Sequence, residues 1–106
     1  MKAYRLDDMV KGWFVGGFDP VALRTDAAEV AVKRYPAGAH EPEHLHKVAP
    51  EVTLILEGRA RMGETVHEAG TIVVIEPGEA TDFEALTEVT TVVVKVPSVP
   101  GDKFPC

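Results

Sequence analysis

The sequence has little cysteine, few basic residues and no long apolar run. Its one cysteine, Cys106, has no partner within the chain, which excludes an intrachain disulfide framework. Eleven Lys and Arg residues stand against 17 Asp and Glu residues, and this net charge of −6 argues against nucleic acid or an anionic membrane as the main partner. No segment has the length of a membrane span or the pattern of a signal peptide. These absences predict a cytoplasmic protein.

Glycine and proline, by contrast, are spread along the whole chain. Nine glycines and eight prolines among 106 residues favour many short strands over long helices in one small domain. Short helical turns are expected near Leu6 and between Asp19 and Leu23, and 71–75 is expected to be buried on both faces. The predicted fold class is all-β, an antiparallel barrel or sandwich, with strands at 12–16, 29–35, 40–46, 52–56, 59–62, 65–68, 71–75, 82–86 and 89–96.

The stretch from Gly38 to Gly58 carries the chemistry. His44 and His46 are separated by one residue, so an extended strand places both imidazoles on the same face. A turn then brings back the carboxylate of Glu51. Two imidazoles and one carboxylate form a ligand set for a divalent metal ion.

This stretch resembles the first motif of the cupin superfamily, G-x5-H-x-H-x4-E-x6-G. Every fixed position is present, at Gly38, His44, His46, Glu51 and Gly58. The second cupin motif, G-x5-P-x-G-x2-H-x3-N, is present only in part: Gly70 and Pro77-Gly78 match it, but Thr81 stands where the family has a histidine. The resemblance covers residues 28–96. It implies a conical β-barrel (double-stranded β-helix or jelly roll), often a homodimer, with a metal held by two histidines and one glutamate of the first motif and one histidine of the second.

The threonine at position 81 leaves three predicted metal ligands, His44, His46 and Glu51. Such a two-histidine, one-carboxylate set has open coordination positions and suits Fe, Mn, Ni, Co or Zn. Three candidates for a fourth ligand remain open: His40, which shares the parity of His44 if the Pro42 region has no bulge, Asp82, and a water held by Thr81.

The chain divides into N-terminal strands at 1–27, the barrel at 28–96 and an extended tail at 97–106. Thr53 and Ile55 share the parity of Glu51 and, with Tyr35 and Thr81, are the candidates for contact with a substrate. The single tryptophan, Trp13, is expected at the edge of the core or in a subunit contact, and a cap over a ligand pocket is the alternative. Val52, Leu54 and Leu56 then face outward, an apolar surface that predicts a homodimer.

Three functions agree with this site. The first is a metal-dependent enzyme, a dioxygenase or isomerase, acting on a small polar substrate. The second is a non-catalytic module that binds a small ligand such as a sugar. The third is a metal-free epimerase or isomerase in which His44 or His46 is the base. One barrel serves many chemistries, so the sequence does not identify the substrate.

Overall fold

The computed structural model describes all 106 residues, and its regular structure is almost entirely β. Two 3-10 turns, Leu6–Asp8 and Val10–Gly12, precede the first strand. No helical segment is long and apolar enough to cross a membrane. The strands are β1 (Trp13–Gly16), β2 (Leu23–Arg24), β3 (Glu29–Tyr35), β4 (His40–Leu45), β5 (Glu51–Glu57), β6 (Arg59–Met62), β7 (Thr65–Glu68), β8 (Ile72–Ile75), β9 (Thr81–Ala85), β10 (Val89–Lys95) and β11 (Phe104–Pro105).

The strands form two sheets, and the chain changes sheet at most of its connections. One sheet has six strands in the order β2-β1-β3-β10-β5-β8, and the other has five in the order β11-β4-β9-β6-β7. Every pairing is antiparallel except the short parallel pair of β1 and β2. Crossing back and forth between two facing sheets is the winding of a double-stranded β-helix, so the predicted all-β barrel is confirmed.

The hydrophobic core fills one end of the space between the sheets. Its seven buried residues come from the last part of β5, from β6, β8 and β9, and from the first residue of β10; they are Ile55, Ala60, Met62, Ile75, Phe83, Ala85 and Val89. Alternation along β5 and β10 supplies inward side chains at every second position, as expected for strands with one buried face. Around Val93, the inward residues at the other ends of β5 and β10 are polar, namely Glu51, Thr53, Thr91 and Lys95, so the barrel is apolar at one end and largely polar at the other.

Two local predictions were wrong. The run 71–75 was expected to be buried on both faces, but β8 lies at the edge of the six-stranded sheet, with Ile72 63% and Val74 54% exposed. A β-branched run satisfies strand propensity with one face open, so this composition did not require double burial. Near Leu23 the expected helical turn is replaced by the short strand β2, which pairs with β1.

The two glycines that bound the first motif both have left-handed backbone conformations, at φ +88° for Gly38 and +85° for Gly58. A Cβ at Gly58 would lie 2.0 Å from the carbonyl oxygen of Glu88, whereas a Cβ at Gly38 would meet nothing within 4 Å. Gly58 therefore serves a tight approach of two chain segments, and Gly38 serves the turn alone.

Candidate functional site

A cavity of about 750 Å³ opens at the polar end of the barrel. Side chains of both sheets line it, and core residues Met62, Ile75 and Phe83 form an apolar part of its wall. The volume lies in the range of small-molecule sites, about 300–1,000 Å³. All three predicted metal ligands line this cavity: His44, His46 and Glu51.

His46 is the most strongly positioned residue of the site. Its side chain is buried, and its Nδ1 lies in a hydrogen bond with the backbone carbonyl of Asp102. A carbonyl can only accept, so Nδ1 carries the proton and Nε2 of the neutral ring keeps a lone pair. That Nε2 is buried without a hydrogen-bond partner and stands 3.4 Å from Oε1 of Glu51. A buried ring nitrogen without a hydrogen-bond partner is expected to bind either a proton or a cation.

Glu51 is fixed on its other oxygen. Oε2 accepts a hydrogen bond of 2.9 Å from the Thr53 hydroxyl. Burial alone would raise the pKa of Glu51, but its interactions with His46 and Thr53 outweigh burial and hold that pKa below its ordinary value. The same carboxylate, followed by the Asp102 carbonyl, raises the pKa of His46. Without a cation, the pair therefore favours imidazolium and carboxylate.

His44 repeats the arrangement of His46 at a less buried position. Its Nδ1 donates to the Pro42 carbonyl at 3.0 Å, which leaves its Nε2 free. The two imidazole rings lie nearly perpendicular, with centroids 5.3 Å apart. Metal-binding histidines commonly donate one ring N–H to a backbone carbonyl in this way, because that bond fixes the tautomer and the ring orientation.

The donor set fits a metal ion in its chemistry, although its members are not gathered into a closed site. No group of three or more His, Cys, Asp or Glu side chains is arranged to hold a metal ion. As a pair, however, His46 and Glu51 have the atom-to-atom separation that two ligands of one metal ion require. Two donors on one tetrahedral ion, each at about 2.1 Å, are separated by about 3.4 Å, and the Nε2 and Oε1 atoms stand 3.4 Å apart.

Of the three candidates for a fourth ligand, His40 and Asp82 are engaged with each other. The β4–β9 ladder shifts register between Glu41 and His44, so a bulge at Pro42 separates His40 from the parity of His44. His40 instead lies 3.1 Å from the carboxylate of Asp82. Arg61 binds the same carboxylate at 3.0 Å and, together with His40, holds the pKa of Asp82 far below its ordinary value.

Thr81 is the register partner of His44 across the β4–β9 ladder. It lines the cavity, but its hydroxyl donates to the backbone carbonyl of Asp82 at 2.8 Å. The residue that stands in the place of the family's histidine is therefore beside the predicted ligands, with its hydroxyl proton committed elsewhere.

The other candidates for substrate contact lie at different depths. Tyr35 lines the cavity, packs on Phe83 with ring centroids 4.6 Å apart, and donates its hydroxyl to Glu41 at 2.5 Å. Burial and then the Glu41 carboxylate raise the pKa of Tyr35, so its hydroxyl stays protonated. Thr53 lines the cavity, whereas Ile55 is fully buried in the core and is not among the lining residues.

The sequence did not reveal several residues of the site. Lys33 and Lys95 line the cavity beside Trp13, which lines it too. Strand parity held the signal for Lys33, since it shares one strand face with the inward Ala31 and Tyr35. Asp102 carried no signal, because its role depends on the tail returning to the barrel.

No protein-family model matches the chain, and no curated protein sequence matches it. Several solved structures, by contrast, match the fold of this chain. An uncharacterized conserved protein with a double-stranded β-helix domain from Klebsiella pneumoniae is 23% identical over 73% of this chain and 69% of its own, with a TM-score of 0.67. An RmlC-like cupin from Shewanella frigidimarina is 16% identical over 72% and 71% of the two chains, with a TM-score of 0.67.

Named enzymes are among the similar structures. The DMSP lyase DddQ from Ruegeria pomeroyi is 18% identical over 88% of this chain and 49% of its own, with a TM-score of 0.72. Salicylate 1,2-dioxygenase from Pseudoaminobacter salicylatoxidans and oxalate decarboxylase from Bacillus subtilis give TM-scores of 0.64 and 0.66, over 21% and 24% of their lengths. At identities of 16% and 17% over 68% and 76% of this chain, the likeness is one of fold. The chain is a small domain with the cupin fold, the double-stranded β-helix.

Proposed function

We propose that this chain is a metal-binding cupin-fold protein whose barrel accepts a small molecule beside a divalent ion held by His44, His46 and Glu51. One observation carries the proposal: the Nε2 atom of His46 is buried and unpartnered, faces the Glu51 carboxylate, and belongs to a ring whose other nitrogen is occupied by a backbone carbonyl. The facing carboxylate of Glu51 has no proton to give to that lone pair, whereas a cation satisfies both groups.

The reaction class that we propose is that of a metal-dependent dioxygenase or isomerase. A divalent ion at this place (Fe, Mn, Ni, Co or Zn) would supply Lewis acidity for a substrate oxygen, for O2 or for water. The protein contributes two imidazoles in one defined tautomer and a carboxylate whose negative charge is preserved by His46 and Thr53. The apolar wall formed by Met62, Ile75 and Phe83 limits water around the reacting atoms.

Metal analysis of protein purified without a histidine tag tests this proposal. We expect near-stoichiometric metal in the wild type and none in His46→Ala. His67, in the hairpin strand β7 and outside the cavity, provides the matched control, because His67→Ala removes an imidazole without touching the site. Equal trace metal in all three proteins would refute the metal site.

A second candidate, the metal-free isomerase, is favoured by the ion pair itself. Because the Glu51 carboxylate raises the pKa of His46, it favours the imidazolium form, which can give and retrieve a proton in the cavity. The two functions separate with a chelator: it abolishes the activity of a metal enzyme and leaves that of the metal-free isomerase unchanged. A ligand that raises the melting temperature without turnover would instead indicate the non-catalytic binding module.

A further inference from the structure

Two lysines of the six-stranded sheet converge on one aromatic ring inside the cavity. Lys33 lies on β3 and Lys95 at the end of β10, and their Nζ atoms stand 5.3 and 5.1 Å from the centroid of the Trp13 ring. Their side chains are only 19% and 14% exposed. Two ammonium groups are thus withdrawn from water beside the same indole.

Neither ammonium group has a carboxylate at hydrogen-bond distance. Glu41 stands 3.7 Å from Lys33, and Glu29 stands 3.8 Å from Lys95, beyond the 2.7–3.2 Å of an N–H···O bond. Both carboxylates instead accept hydrogen bonds from hydroxyl groups. Tyr35 donates to Glu41 at 2.5 Å, and Ser98 donates to Glu29 at 2.9 Å.

We propose that Lys33 and Lys95 form an anion-binding site over Trp13 that receives the carboxylate of a small organic acid. Six ammonium protons in a partly desolvated cavity gain charge-assisted hydrogen bonds when such an anion enters. Burial also lowers the pKa of Lys33 despite the nearby glutamates, as expected for an ammonium group that lacks a close partner.

The charge of the surroundings selects a carboxylate over a phosphate. Glu29, Glu41 and Glu51 line the same cavity. Against these three carboxylates the two lysines leave a local net charge of −1, so a phosphate dianion meets stronger repulsion than a carboxylate monoanion. The site therefore suits a monoanion.

The position of the lysines relates this anion to the proposed metal site, and this step rests on the proposed function. Lys95 is the register partner of Glu51 across the β5–β10 ladder. Residues directly opposite in such a ladder have Cβ atoms about 5 Å apart. A carboxylate bound at Lys95 thus leaves the next carbon atoms of the acid beside Glu51 and His46, where the chemistry is proposed.

The test uses Trp13 as a reporter, since it is the only tryptophan in the chain. Metal-free, chelator-treated protein is titrated with acetate, lactate and benzoate at constant ionic strength, and emission and melting temperature are recorded. Acetamide, benzamide, chloride and inorganic phosphate serve as comparison ligands. We expect a saturable response to carboxylates and none to the amides, and weaker binding by about tenfold in Lys33→Met and in Lys95→Met, because each loses one charge-assisted hydrogen-bond donor.

Lys47→Met is the matched control. Lys47 also lies over an aromatic ring, with Nζ 4.0 Å from the Phe104 centroid, but it does not line the cavity. Lys33→Arg and Lys95→Arg keep the charge and should keep binding, which covers the case in which a methionine variant fails to fold. Carboxylate binding that is equal in Lys33→Met, Lys95→Met and Lys47→Met, absent altogether, or matched by phosphate or an amide overturns the inference.

The outcome is independent of the metal proposal. A wild-type protein that carries no metal but binds carboxylates through Lys33 and Lys95 would refute the metal site and support the anion site. A protein that carries metal but shows no carboxylate response would do the reverse.

Discussion

Asp102 joins the C-terminal tail to the turn that follows β4, and its removal gives a sharp prediction. Its carboxylate accepts backbone N–H groups of Lys47, Val48 and Ala49 at 2.8, 3.1 and 3.0 Å. Ala49 is buried, so water cannot replace that bond, whereas Lys47 and Val48 are exposed. Taking about 2 kcal/mol for the buried charged bond and about 0.5 kcal/mol for each exposed one, Asp102→Ala costs about 3 kcal/mol.

Thermal unfolding followed by circular dichroism measures this loss. The entropy of unfolding for a chain of this length is about 0.22 kcal/mol/K, so the melting temperature should fall by about 14 °C. Asp8→Ala, at an exposed position of the first 3-10 turn, should leave the melting temperature unchanged within about 2 °C. If the two variants behave alike, the tail does not hold the turn in solution and the reasoning fails.

The pH dependence of the same effect has a defined sign. Burial would raise the pKa of Asp102, but the backbone N–H groups of Ala49, Lys47 and Val48 outweigh burial and lower that pKa. A carboxyl group with a depressed folded-state pKa stabilises the fold above its unfolded pKa of about 3.9, and the contribution disappears as pH falls through the folded value. The stability difference between wild type and Asp102→Asn should therefore be full at pH 7 and shrink in acid. A difference that stays constant down to pH 2 contradicts the assignment.

Three further predictions follow from other parts of the structure. Gly58→Ala should destabilise the fold far more than Gly38→Ala, by more than about 2 kcal/mol against about 1 kcal/mol in urea unfolding, because only Gly58 has a backbone oxygen 2.0 Å from the new Cβ; similar losses would contradict the close approach. Thr81→His should tighten metal binding by about tenfold or more in a chelator competition, since position 81 lies beside His44; an unchanged affinity would mean that position 81 does not reach the ion. The homodimer predicted from the sequence should become monomeric in Val74→Lys, which charges the exposed face of β8; sedimentation that shows a wild-type monomer removes the prediction.

Much of the barrel was predictable because alternation and turn residues act locally. β3, β6 and β7 begin and end where the sequence placed them, since Pro36, Gly58, Gly63 and Gly70 punctuate strands of clear pattern. The inward parity of Glu51 and its neighbours followed from the same alternation. The prediction from parity failed at one place, in β4. A bulge at Pro42 adds one residue between Glu41 and His44, and this interrupts the two-residue alternation of side chains.

The parts of the site that were missed depend on distant pieces of chain. Arg61 lies on β6, which neighbours β9 in the five-stranded sheet, and its side chain binds the carboxylate of Asp82. This candidate fourth ligand is therefore already engaged with another residue. The alternative position of Trp13 at a ligand pocket agrees with the structure, but its place beside Lys33 and Lys95 follows from the pairing of β1 with β3. Pairing between strands is a long-range property, and a single sequence does not encode it in any local pattern.

The bonds from Asp102 also bear on the order in which the molecule is assembled. They close loops of 53 to 55 residues, and the contact of the Asp102 carbonyl with His46 closes one of 56. The β3–β10 ladder, from Tyr35–Val89 to Glu29–Lys95, spans similar sequence separations. Closures of this length gain little until both ends are ordered, so the tail contact belongs with the long-range pairings of the barrel and not with its local hairpins. His46 therefore acquires its tautomer only when the barrel closes.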